Sequence, residues 1–256
     1  TTSIYRGYML KLTALKTAAL LILSFTMMSC QKNDTDLLQE AQSCLNTSPS
    51  NEARQCVSKI SSLNTPAAYK LRCAAIYIYE GFGSASSLIN GLNDMNNPPG
   101  GGGCSGNCSP TFGVISNFNF HSGDNGDTAN QARNIATANE AVATCALTES
   151  KAYIQVSSLF KIGTLAKMSA YSLLTPGQEP TPAQIETAIA NLDPAEIGEL
   201  VSSTYSLACA NNSNSSDAAQ KYCDELSKSI DAGQSYTDIG SYLLCKINDE
   251  NNPLCQ

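Results

Sequence analysis

The chain predicts an all-α fold of about ten helices, arranged as helical hairpins and stapled by disulfides. Three observations carry this prediction. Apolar residues recur at helical spacing along most of the chain, three Thr-Pro or Asp-Pro pairs mark helix starts, and the 11 cysteines sit at spacings suited to closing loops. With 256 residues and 42% hydrophobic content, the chain can bury a sizeable core. Only 14% is charged, against roughly 25% for an average soluble domain. The net charge of −7 argues against nucleic acid as a partner, because phosphate recognition needs clustered Lys and Arg.

The elements follow in order. Leu37, Leu38, Ala41 and Leu45 share one helical face, and Ser50 opens a second helix carrying Ala53, Cys56, Val57, Ile60 and Leu63. Thr65-Pro66 starts a third, through Glu80, that is apolar nearly all round and therefore central. A fourth, Ser84 to Asn93, carries Leu88, Ile89 and Leu92. Asp127 caps an Ala-rich helix to residue 148, and residues 150–174 form a long apolar one. Thr181-Pro182 and Asp193-Pro194 open helices over 182–191 and 194–210, and Ser216 caps 216–231, followed by 236–247. Segments 34–63, 65–94, 181–210 and 216–247 pair by length and resemble the tetratricopeptide repeat and related helical-hairpin solenoids, with units of about 34 residues. An irregular bundle explains the same lengths.

Setting Cys30 aside leaves ten cysteines, an even number that reads as a disulfide framework. Spacing favours Cys44–Cys56 across a Pro49 turn, Cys104–Cys108 in a Gly-rich loop, Cys209–Cys223 around an Asn/Ser turn and Cys245–Cys255 at the tail. Cys73 and Cys145 then form the one long-range bridge. Closing a loop of 12 to 15 residues contributes about 3 kcal/mol in the chain-entropy picture. Zinc and redox readings are weaker. A structural zinc needs four ligands, and Cys104-x-x-x-Cys108 lacks both a second close pair and the Cys-x-x-Cys spacing of redox motifs.

The N-terminal stretch reads as an address. From Met9, taken as the start, two cations at Lys11 and Lys16 precede an uncharged apolar run from Thr17 to Met28, then Ser29 and Cys30. The run is short of the roughly 20 apolar residues that span a bilayer. Met27-Met28-Ser29-Cys30 resembles the lipobox of bacterial lipoproteins. That resemblance implies that residues 1–29 are removed, that Cys30 carries the lipid, and that Gln31 after it leans towards the outer membrane. Several acyl chains would make the anchor essentially permanent, at about 0.8 kcal/mol per buried methylene. Residues 30–33 then form a lipidated tether and 34–256 a single all-α domain.

One segment breaks the helical pattern. Residues 94–127 hold Pro98-Pro99, four glycines, Cys104 and Cys108, then Phe112, Val114, Ile115, Phe118, Phe120 and His121. Long excursions of this kind are often functional. Phe112, Ile115, Phe118 and Phe120 either pack on the long middle helices or offer a contact to an envelope protein partner. Ser122 to Asp127 offers oxygens for calcium but lacks the EF-hand order, and Asp127 suits a helix cap better. His121 is the only histidine, and neither Gly-x-Ser-x-Gly nor His-Glu-x-x-His occurs. No catalytic residue, metal ligand or cofactor is assigned. Tyr69, Tyr77, Tyr79, Tyr153 and Tyr171 could line a ligand wall, though aromatic core filler is the commoner use. The expectation is therefore a lipid-anchored envelope protein with a binding or scaffolding role. The alternatives are a binder of a small hydrophobic ligand and an envelope hydrolase using paired carboxylates.

Overall fold

The computed structural model describes residues 33–82, 118–123, 125–175, 177–210, 217–233 and 235–248. Among these, the regular elements are nine α-helices, two 3-10 turns and one π-turn, with no strand. The α-helices are α1 (Asp34–Thr47), α2 (Ala53–Cys56), α3 (Pro66–Tyr79), α4 (Thr128–Ala146) and α5 (Lys151–Ser172), then α6 (Pro182–Ala190), α7 (Pro194–Thr204), α8 (Asp217–Ala232) and α9 (Tyr236–Asn248). The expected helix over 84–93 and the Ser216 cap lie outside the described residues.

Most starts are fixed by side-chain caps that satisfy otherwise unpaired N–H groups. Thr65 accepts from Ala68 N at 3.3 Å, Asp127 from Ala129 N at 2.9 Å and Asp193 from Ala195 N at 2.9 Å. Thr181 and Gln184 form a reciprocal capping box, and Ser235 with Asp238 does the same at the start of α9. Ser50 does not cap a helix. It lies in a 3-10 turn, Ser50–Glu52, and a second 3-10 turn, Ser58–Ile60, follows the single α-turn of α2. The expected continuous helix over 50–63 is thus broken. Serines are its weak points: Ser58 Oγ donates to Gln55 O at 2.7 Å, competing with the helical backbone ladder. The apolar face survives the breaks, since Ala53, Cys56, Val57 and Ile60 are all buried against α1 and α3.

Three disulfides join described residues: Cys44–Cys56, Cys73–Cys145 and Cys209–Cys223. Spacing favours Cys44–Cys56 and Cys209–Cys223, and Cys73–Cys145 is the long-range pair left over from the local ones. Cys245 is also disulfide-bonded. Cys104, Cys108 and Cys255 lie outside the described residues. The 72-residue separation of Cys73 and Cys145 makes that bridge the most stabilising of the three in the chain-entropy picture, at roughly 4–5 kcal/mol.

The longest of these helices is central: α5, whose 22 residues are mostly buried, packs against α4, α6, α7 and the π-turn. The tightest crossing is between α7 and α9. A Cβ on Gly198 would fall 1.8 Å from Tyr236 O, and one on Gly240 would fall 1.8 Å from Pro194 O. Both glycines let backbone meet backbone, and Ile197, Leu200, Val201, Ile239, Leu243 and Leu244 pack around them. At the other end, α1 and α2 cover α3, and α3 is tied to α4 by Cys73–Cys145.

Candidate functional site

The end of α3 and the residues before α4 meet on one aromatic ring. Phe160, fully buried on α5, is touched by Phe82 at 4.7 Å, Tyr77 and Phe120 at 5.0 Å, and Phe118 at 5.2 Å between ring centroids. Tyr77 and Phe82 come from the end of α3, while Phe118 and Phe120 precede α4. Local chain chemistry sets the exit. Gly81 has φ +93, Phe82 N donates to Tyr77 O at 2.9 Å and Gly81 N donates to Ile78 O at 3.0 Å. This is a Schellman ending, and it turns Phe82 back onto the cluster. The return is set by Thr164 of α5, whose hydroxyl accepts from Phe120 N at 2.9 Å while donating to Phe160 O at 2.7 Å.

A polar shell lies beside this aromatic cluster. Asn134 of α4 is fully buried, and its amide donates to Asn125 Oδ1 at 2.7 Å and Ser122 O at 3.3 Å. Asn125 in turn donates to His121 O at 3.0 Å, and its own carbonyl accepts from Gln131 at 2.8 Å. Arg133 donates to Ser122 O at 2.6 Å, and the Ser122 hydroxyl donates to the Glu80 carboxylate. His121 Nδ1 donates to Asn119 O at 3.1 Å. Thus Ser122 faces a carboxylate rather than the neighbouring imidazole. Of the oxygens that the calcium reading would use, Ser122 O and both Asn125 oxygens accept from N–H donors, one of them a guanidinium, and Asp124 lies outside the described residues. Asp127 caps α4.

Of the residues singled out for partner contact, Phe118 is half-buried and Phe120 is fully buried in this core. They pack rather than reach outward, because burying an aromatic ring against other rings is more favourable than exposing it. Phe112, Ile115 and Cys30 lie outside the described residues. The five tyrosines do not form one shared wall. Tyr153 packs against the cluster that holds Tyr77, Tyr171 is buried elsewhere, Arg54 stacks on exposed Tyr79 at 5.0 Å, and Arg72 stacks on Tyr69 at 4.3 Å. Tyr77 carries a specific burden. Its hydroxyl is buried without a hydrogen-bond partner, and desolvation, with a smaller contribution from Tyr153, pushes its ionisation well above the ordinary phenol range. It is therefore a neutral phenol at all physiological pH.

A second polar feature lies on α5. Gln155 and Ser158 are buried one turn apart, facing Cys209–Cys223 and Thr204 respectively. Phe82, Asn134 and Gln155 escape sequence reading because each is a single residue in a segment of another character. Only the Gly81-Phe82 pair carries a local signal, that of a helix ending.

Among the described residues no helix is long and apolar enough to cross a membrane, and no cluster of His, Cys, Asp or Glu could hold a metal ion. Comparison with protein-family models, curated proteins and solved structures finds no match.

Proposed function

We propose that this chain is a lipid-anchored protein of the bacterial cell envelope, with an oxidised helical domain that binds or scaffolds a protein partner there. The observation that carries the reading is the cysteine pattern. All seven cysteines among the described residues are disulfide-bonded, which fits an exported chain, and Cys30 stands apart at the end of an apolar run. Helix α1 begins at Asp34, capped by Asn33, so a lipid on Cys30 would hold the bundle close to the bilayer surface. With Phe118 and Phe120 in the core, the partner-contact reading now rests on Phe112 and Ile115.

The test is the intact mass of protein extracted from its native membrane, with thiols labelled before and after reduction. The reading expects an acyl mass on Cys30, no labelled thiol before reduction, and release of Cys30→Ala from the membrane fraction. An unmodified Cys30 with freely labelled thiols would overturn it.

A further inference from the structure

The Cys209–Cys223 bridge sits in a chemical setting of its own. Gln155, 4% exposed on α5, directs its Nε2 at the bridge, 3.2 Å from Cys223 Sγ and 3.9 Å from Cys209 Sγ. Ile154, Leu159 and Leu226 belong to the same core as the two cysteines. Cys209 is the last residue of the π-turn Tyr205–Cys209, closed by Ala210 N donating to Tyr205 O at 2.9 Å. The start of that turn is held to α5 through Thr204 and Ser158, whose hydroxyls are 2.5 Å apart. Single π-turns are frequent at functional sites.

We propose that Cys209–Cys223 is a polarised, exchangeable disulfide that reacts with thiols, and that the π-turn is the element its opening releases. An external thiolate attacks Cys209 Sγ, forming a mixed disulfide as the S–S bond breaks. The bonding pair leaves with Cys223 Sγ as a thiolate, which accepts the Gln155 N–H. A buried thiolate needs such a donor, and a better-stabilised leaving thiolate departs faster. With a dithiol reagent, its second thiolate then displaces Cys209. The reagent ends as a cyclic disulfide and both protein sulfurs as thiols. Freed of its covalent end, the 205–209 turn can return to α spacing, which re-aims half-exposed Leu207. Of the other two bridges, Cys73 and Cys145 are fully buried, whereas Cys44 is half-exposed with the Ser48 hydroxyl 3.5 Å away. They serve as slow and accessible internal references.

The experiment treats the oxidised full chain with reduced glutathione, quenches with an alkylating agent and maps adducts by peptide mass spectrometry. The expected result is glutathione on Cys209 and alkylation on Cys223. Gln155→Met should slow this opening by about fivefold or more, given the strength of a hydrogen bond to a charged group, and leave the Cys44–Cys56 rate unchanged. Amide exchange at Ala210 should rise on opening. Glutathione on Cys223, or opening no faster than that of Cys73–Cys145, overturns the proposal. So does an unchanged rate in Gln155→Met. The adduct position in the wild-type chain decides the polarity even if the variant folds poorly.

Discussion

Replacing Gly240 by alanine tests the α7–α9 crossing directly. The added Cβ would meet Pro194 O at 1.8 Å, where ordinary contact begins at 3.4 Å, so the helices must separate by more than 1 Å at that point. The same atom would lie 2.9 Å from Gly198 N, which leaves no direction of easy relief. Alanine gains about 1 kcal/mol in helix propensity. Against this stands overpacking, typically 1–3 kcal/mol and more where backbone must move. A gap of 0.5–1 Å also forfeits about a quarter to a half of each dispersion contact, and here it would open among Ile197, Val201, Ile239 and Leu243. The balance is a loss of about 2–4 kcal/mol. Urea unfolding of the oxidised protein, followed by far-ultraviolet circular dichroism, measures it as a lower midpoint at unchanged slope. Gly198→Ala should behave alike, and the double variant should lose less than the two losses combined, because both relieve one crossing. A Gly240→Ala midpoint equal to or above wild type would refute the close approach.

Further outcomes follow from two single residues. Tyr77→Phe removes a buried hydroxyl that has no partner and should stabilise the protein by about 1 kcal/mol in the same unfolding assay. Because burial raises the folded ionisation of Tyr77 above its ordinary 10.0, its contribution is full below pH 10. That contribution declines as pH rises beyond this point, since only the unfolded state gives up the proton, at up to about 1.4 kcal/mol per pH unit. Tyr77→Phe should therefore lose less stability than wild type between pH 10 and 11. Glu149 holds φ 57 between α4 and α5, so Glu149→Gly should raise the melting midpoint, by about 1 kcal/mol of stability, while Glu149→Ala should not.

Helix starts were legible because their chemistry is local. A Thr or Asp before Pro satisfies an N–H within three residues, and Thr65, Thr181 and Asp193 do this without help from the rest of the chain. Asp127 belongs with them. The break in 50–63 was less legible, because the apolar period from Ala53 to Ile60 persists through mixed α and 3-10 turns. The π-turn was not legible at all. Nothing in Tyr205–Cys209 distinguishes it from the helix before it, and its partners, Ser158 and Gln155, lie on α5 far away in sequence. Phe120 illustrates the same limit. Its alternation with Phe118 indicates that the segment docks, but only the position of Phe160 and Thr164 determines which ring disappears into the core.

Phe82 and Phe118 rest on the same ring, and this bears on how such a protein can vary. Whatever chain connects them starts and finishes at one spot on α5, already fixed by Gly81 on one side and Thr164 on the other. Lengthening a connection between closed ends is inexpensive, about 0.6 kcal/mol for each doubling. A change in the number of residues between these two phenylalanines therefore leaves the ends meeting at the same ring. The expected mark of selection is constancy at Phe82, Phe118 and Phe160.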